Sequence, residues 1–193
     1  MIDPLMDDDA TPLTPEERSG LIPSYIALRR ELNEAEQSGI LTADQWAFSR
    51  KREVLDEAFL QDLHRRMFGE VWKWAGSFRT TPRNIGVEAW SIAPDLRILL
   101  EDVRFWIQHQ TYGPDQIAVR FHHRLVFIHP FPNGNGRLSR LAADLLAVQL
   151  GRERFTWGRE NLTDAGDTRR RYIAALRAAD DHDLTVLLAF VRS

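Results

Sequence analysis

The 193-residue sequence contains no cysteine. Disulfides, thiol nucleophiles and cysteine-ligated zinc are thereby excluded. No uninterrupted apolar run approaches the length needed to span a bilayer. The N-terminus, Met1-Ile-Asp-Pro-Leu-Met-Asp-Asp-Asp-Ala10, is acidic where a secretory signal would be basic. These absences predict a cytoplasmic protein with no membrane partner. A strong charge of one sign is missing too: 25 Lys and Arg stand against 28 Asp and Glu, a net charge of −3. No general field draws such a chain to nucleic acid, so any anion must be captured by a local cluster of donors.

What is present is ordinary globular composition, 44% hydrophobic and 27% charged residues, at a length that fits one domain with a proper core. Residues 1 to 20 hold Asp7-Asp8-Asp9, three prolines and no periodicity, and read as a flexible acidic leader before a single domain over residues 21–193. Tyr25, Leu28, Leu32 and Ala35 recur at helical spacing, with Gly39 placed to stop that helix. Thr42-Ala-Asp-Gln45 resembles a capping box opening a second helix with Trp46 and Phe48. A third segment, from Asp56 to Trp72, repeats Phe59, Leu63 and Met67 on one face. From Trp74 to Ala93 the pattern fails: Gly76, Pro82 and Gly86 punctuate a stretch that predicts a short hairpin or irregular flap over residues 79–92. Pro94 restarts a helix to about His109. Gly113-Pro114 opens another, with Ile117, Phe121, Leu125 and Ile128 as its apolar stripe. Leu138, Leu141, Leu145 and Val148 mark the next, with Gly151 as its stop. Asp167 caps a further helix, and Leu184–Val191 forms the last. The fold class is mainly α, a helical bundle with one short β-hairpin flap.

The informative segment is His129-Pro-Phe-Pro-Asn-Gly-Asn-Gly-Arg-Leu-Ser-Arg140, lying between two predicted helices. Proline and Asn-Gly pairs favour turns on their own, so a plain tight turn accounts for part of it. It does not account for Arg137 and Arg140, which fall in the first turn of the following helix, where the dipole disfavours cations. Their i, i+3 spacing lets both side chains point to one side. Backbone N–H groups around Gly134 and Gly136 converge there with the helix N-terminus, a cradle suited to a polyphosphate. His129 ends the preceding helix, where an imidazole can remove a hydroxyl proton near neutral pH.

This segment resembles the Fic signature, His-x-Phe-x-Asp/Glu-Gly-Asn-Gly-Arg-x-x-Arg, at every fixed position but one. Glu31-Leu-Asn-Glu-Ala-Glu36, Trp74-Ala-Gly-Ser-Phe-Arg-Thr80 and Phe121-His-His-Arg124 extend the likeness, and resemble the branch of that family called mobile mystery protein B. The resemblance implies a protein adenylyltransferase that moves AMP from ATP onto a Ser, Thr or Tyr hydroxyl of a target protein, with Mg²⁺ as cofactor. His129 would be the general base and Phe131 an inward anchor of the loop. Gly134, Asn135 and Gly136 would hold the α- and β-phosphates, and Arg137 and Arg140 the outer ones. The departure is Asn133, where the family has Asp or Glu as the Mg²⁺ ligand; an amide oxygen can still ligate a hard cation, without the charge.

The same resemblance makes residues 79–92 the flap that lays the target's peptide beside the active site as an added strand. Trp90 is either a contact of that flap or a core aromatic. Many members are silenced by a helix bearing Ser/Thr-x-x-x-Glu-Gly/Asn, and no clean copy exists here. Glu36 is placed like the inhibitory glutamate that pairs with the second arginine, here Arg140, but Leu32 stands where Ser or Thr should be. A solvated helix charge is the plainer expectation for Glu36, which leaves repression by a separate protein, as in a toxin–antitoxin pair, open. His122 and His123 adjoin an apolar stripe and read as packing or surface residues, while His64, His109 and His182 lack a partner at metal-ligand spacing. Two alternatives to AMP transfer stand beside it. A Doc-like phosphotransferase would carry Ala and Lys at the positions of Gly134 and Gly136, and a non-catalytic binding module would have no need of His129.

Overall fold

The computed structural model of the protein describes residues 14–158 and 165–193, which fold into eight α-helices and one short 3₁₀ turn. The mainly helical class expected from periodicity is what forms. Residues 1–13 of the expected leader lie outside the described residues. Residues 14–20 do not continue it: Pro15–Arg18 is a helical turn (α1) with a complete capping box between Thr14 and Glu17.

The first two predicted helices are one, α2 (Arg29–Phe48). Gly39 does not stop it, because a Cβ there would strike the carbonyl oxygen of Met67; the glycine lets α2 cross α3 closely. Thr42 does not cap a new helix either, since its hydroxyl donates back to the carbonyl of Ser38 at 3.1 Å. The helix start is set by Glu31, whose Oε2 accepts from the backbone N–H of Ala27 and Leu28 at 2.8 and 2.9 Å.

Asp56 caps α3 (Glu57–Phe68), which buries Leu60, Leu63, His64, Met67 and Phe68. Phe59 stays half-buried and stacks on Trp46 at 5.9 Å. A long irregular segment leads to the 3₁₀ turn Ala89–Ser91 and then to α4 (Ile92–Gln108), so Pro94 sits inside the first turn rather than opening the helix. Pro114 does open α5 (Pro114–Ile128), and Ile117, Phe121, Leu125 and Ile128 are all buried along it.

Helix α6 (Asn135–Gln149) buries Leu138, Leu141 and Leu145 but leaves Val148 41% exposed. Gly151, with φ +78°, lies just past its end, where Arg152 N–H reaches back to the carbonyl of Ala147 at 2.9 Å. Helix α7 (Ala165–Asp180) begins before Asp167, which pairs with Arg170 at 3.1 Å within the first turn instead of capping it. Helix α8 (Thr185–Val191) completes the fold. Helix α5 is the central element, packed on α4 and α6, while α2 pairs with α3 and α7 with α8. Each core Leu or Phe removed from water contributes about 1.5–3 kcal/mol, and the α5 and α6 stripes therefore fix the angle at which these two helices meet. Their junction is residues 129–134.

Candidate functional site

Helix α5 ends at His129, which adopts the left-handed conformation, φ 54° and ψ 58°, and is buried. A non-glycine residue there costs of the order of 1–3 kcal/mol unless its surroundings hold it. They do so through Arg79, a buried arginine from the irregular segment between α3 and α4. Its Nε donates to the carbonyl of His129 at 2.7 Å and its Nη1 to that of Thr81 at 3.0 Å. Its Nη2 donates to the carbonyl of Val87 and, at 3.4 Å, to that of Ile128. Two backbone bonds run alongside, Arg79 N–H to Pro130 O at 2.9 Å and Val87 N–H to Ile128 O at 3.4 Å.

The predicted hairpin does not form. Among the described residues the sole β-bridge joins Leu21 to Trp72, and residues 79–88 contain no ladder. Pro82 removes a donor, and the guanidinium of Arg79 takes the carbonyls that a cross-strand ladder would have used. The flap lies on His129: a Cβ at Gly86, whose φ is +93°, would come within 2.6 Å of the Cβ of His129. Trp90 is no core aromatic, being 80% exposed at the flap's end. From the other side Arg83 forms an ion pair with Glu17 of α1. The imidazole of His129 is pushed down to about 4, first by burial and then by the charge of Arg79, against an opposing backbone hydrogen bond at Val126. It is therefore neutral at pH 7, with a lone pair to accept a proton.

Beneath the junction the loop is tied to itself and to α3. Phe131 is fully buried, stacked on His64 at 3.9 Å and against Phe78 at 5.4 Å. Asn135 turns inward, accepting from Phe131 N–H at 2.9 Å and donating to Phe131 O at 2.8 Å, so its side chain is not directed at a ligand. His64 Nε2 lies 3.0 Å from the carbonyl of Asn133, and its Nδ1 accepts from Gly76 N–H at 2.9 Å, which fixes the tautomer with the proton on Nε2. Burial pushes this imidazole down to about 3. Gly134, at φ +79°, is demanded by packing: a Cβ there would come within 2.5 Å of the Phe68 ring.

Of residues 129–140, those that reach solvent are Asn133, Gly136, Arg137 and Arg140. Gly136 is open above, the nearest atom to a Cβ there being the Tyr172 hydroxyl at 4.0 Å. The first N–H groups of α6 lack intrahelical acceptors, as at any helix start.

The two arginines do not point to one side. Arg137 turns toward α2 and α3, pairing with Glu36 Oε2 at 2.5 Å over the Phe68 ring. Arg140 turns toward α7, lying over the Tyr172 ring and donating to the carbonyl of Gly136 at 3.1 Å. Glu36 is accordingly no solvated charge, nor does it face Arg140. It is buried, and its second oxygen accepts from Trp72 Nε1 at 2.7 Å. Glu36 lies one turn after the buried Leu32 on the same face of α2, and only its distant partners Trp72 and Arg137 reveal that a carboxylate belongs there.

Asn133 Oδ1 caps Gly134 N–H at 2.5 Å and accepts from Arg137 Nη2 at 3.4 Å. As a resident cation site this donor set does not fit: one neutral oxygen is already bonded to two donors, one of them cationic. Among the described residues no group of three or more His, Asp or Glu converges.

Sequence reasoning missed Arg79, His64 and Tyr172. The Tyr172 hydroxyl meets His122 Nε2 at 3.1 Å, and burial pushes that hydroxyl up to about 12. His123 pairs with Asp180 at the surface. The signal that could have found Arg79 was the stretch Trp74–Thr80, whose likeness to the family came without a role for its arginine.

Residues 54–147 match the model of the Fic/DOC family. The protein adenylyltransferase Fic of Drosophila grimshawi is 30% identical over 134 residues, 67% of this chain and 26% of its own length. That of Culex quinquefasciatus is 30% identical over 136 residues, again 26% of its length. The chain thus spans about a quarter of the curated relatives it matches. Among solved structures, the BepC protein of Bartonella tribocorum with bound AMPPNP has a TM-score of 0.68 at 18% identity, covering 93% of this chain and 97% of that one. Fic-1 from C. elegans gives 0.64 at 24% identity, covering 90% and 50%. At these identities the structures show the shared fold.

Proposed function

The chain belongs to the Fic/DOC family, and from that premise we propose that it transfers AMP from ATP to a Ser, Thr or Tyr hydroxyl of a target protein. The observation that carries this reading is the neutral His129, held one loop away from the open first turn of α6 with its solvent-facing Arg137 and Arg140. The triphosphate lies over Gly136 and the N–H groups of that turn, where the helix dipole and the two guanidiniums favour it. The target hydroxyl gives its proton to His129, its oxygen bonds to the α-phosphorus, and the bond from that phosphorus to the bridging oxygen breaks, releasing pyrophosphate. Bound polyphosphate, being anionic, raises the imidazole from its low starting point, so the base strengthens when substrate is in place. Positioning and charge neutralisation supply most of the acceleration.

The relatives named as adenylyltransferases and the neighbour solved with AMPPNP support the nucleotide and the reaction class. Asn133 would meet an ATP-borne Mg²⁺ only as a neutral amide oxygen. Glu36 belongs to this proposal as a regulator: it holds Arg137, so nucleotide must displace it. So do the cytoplasm as compartment, a repressing partner protein, and residues 21–193 as a single domain. No helix among the described residues is long and apolar enough to cross a membrane.

The test is incubation with α-labelled or γ-labelled ATP, Mg²⁺ and a cell lysate. Label from the α-phosphate alone is the expected result. Label from γ alone means phosphorylation, and no label from either leaves a binding module.

A further inference from the structure

Arg79 stands on neither the signature loop nor a helix, yet its side chain reaches both the end of α5 and the flap. Its guanidinium donates to four carbonyls, two at the end of α5 (Ile128 and His129) and two on opposite arms of the flap (Thr81 and Val87). The last carbonyls of a helix have no partners within it and carry the negative end of its dipole, so a buried cation there is well placed. Only a planar fork can reach four acceptors lying in different directions; an ammonium is a point charge on a flexible stem.

We propose that Arg79 is the positioning residue of His129, locking the imidazole and the flap into one register. This rests on the reading of His129 as the base of the transfer. Three features converge on it. The left-handed backbone of His129 needs an external hold, and the guanidinium grips its carbonyl. The flap arms are joined through the same group rather than by a ladder, so flap and base move together. A Cβ at Gly86 would strike the Cβ of His129 and Nη2 of Arg79, so the corner admits nothing larger than glycine. The charged groups facing this corner are Arg79 and Arg83 from the flap segment, with Glu88 and Glu17 beyond them. Removing the charge of Arg79 therefore lets His129 hold a proton to a higher pH.

The test compares the parent with Arg79→Met and Arg79→Lys, reading transfer from α-labelled ATP, the rise in Tm with ATP, and the titration of the His129 imidazole by NMR. For Arg79→Met, transfer falls on the order of 100-fold, the loss expected of a misplacement of about an ångström. Its ATP-induced rise in Tm stays that of the parent, because α6 is untouched, and His129 titrates above its starting value of about 4. For Arg79→Lys, transfer falls while the titration stays low, since charge is kept and the fork is lost. His129 titrating in Arg79→Met as it does in the parent overturns the proposal, whatever the turnover. Should Arg79→Met fail to fold, Arg79→Lys decides, and turnover equal to the parent's overturns it. If the parent itself transfers nothing, adenylylation fails as a reading, while the NMR titration still rules on Arg79.

Discussion

Two irregular stretches meet at the site, and they are held in opposite ways. Residues 131–134 are held mainly by near neighbours: Asn135 bonds both backbone groups of Phe131 and Asn133 caps Gly134, with His64 reaching in to the Asn133 carbonyl. The segment between α3 and the Ala89–Ser91 turn is satisfied from afar, by Arg79 on the end of α5 and by Glu17 of α1 on Arg83. The first is a conspicuous motif, and the second has only the short likeness of Trp74–Thr80. Yet the second sets the conformation of the residue on which the first depends. The conformation of His129 is thus written fifty residues away from it.

The sharpest break between the two stretches is His129→Ala. If the motif loop holds both base and cradle, this substitution lowers transfer by about 10²–10⁴-fold, the usual share of a positioned general base. The ATP-induced rise in Tm survives, because the first turn of α6 is left intact. Turnover like the parent's would take His129 out of the mechanism.

Legibility followed the range of the interactions. The α5 and α6 stripes were readable because each is repeated within one helix, and Ile117, Phe121, Leu125 and Leu138 are buried as their spacing requires. Gly39 and Thr42 misled because the same residues serve as helix punctuation or as helix interior, and only the contact with Met67 and the bond to Ser38 decide. The facing of Arg137 and Arg140 depended on Glu36 and Tyr172, each distant in sequence. His64 looked unremarkable because its partners, Gly76 and Asn133, are backbone groups, which leave no trace in residue identity.

His64→Ala probes the far-reaching support from beneath. It deletes the stack on Phe131 and strands the Gly76 N–H and Asn133 carbonyl, so stability falls by about 3–5 kcal/mol, as for other buried rings. Acid acts on the same group. Burial lowers His64 and His122 to about 3 and His129 to about 4, from 6.5. The unfolded chain thus binds protons that the fold refuses, and stability declines as pH falls from about 6.5 toward those values, with a slope of up to about 1.4 kcal/mol per pH unit for each group. Urea unfolding at pH 7, 6 and 5 measures this. A flat profile would mean that the imidazoles are not buried as described.

The two arginines sharpen the comparison further: Arg137 is held by Glu36 of α2, while Arg140 lies over Tyr172 of α7 and bonds the Gly136 carbonyl of its own helix. Arg137→Ala leaves Glu36 buried with Trp72 as its remaining hydrogen-bond donor here, and the empty protein loses about 1–3 kcal/mol. Arg140→Ala gives up a cation–π contact with Tyr172 of about 0.5–1 kcal/mol and relieves a dipole clash of similar size. Both reduce the gain in Tm from ATP. Glu36→Gln releases Arg137 and increases both that gain and self-modification. An Arg137→Ala variant as stable as the parent would show that Glu36 does not depend on that pairing.

The smallest effect expected is at Asn133, where the motif loop departs from its family. Its amide oxygen caps Gly134 N–H and touches Arg137, and a carboxylate at the same place can do both. Asn133→Asp thus keeps the loop's internal support and adds a negative charge at the N-terminus of α6, which stabilises the empty protein by about 0.3–1 kcal/mol. It also supplies a second, uncommitted oxygen with charge, the hard donor that Mg²⁺ prefers and that the parent lacks. Half-maximal transfer then comes at a lower Mg²⁺ concentration, while the rate at saturating Mg²⁺ changes little. The two readouts separate the causes. A higher Tm with an unchanged Mg²⁺ titration makes position 133 a loop cap that the metal never meets. A lower Mg²⁺ requirement means that the neutral side chain is what weakens the metal's hold in the parent.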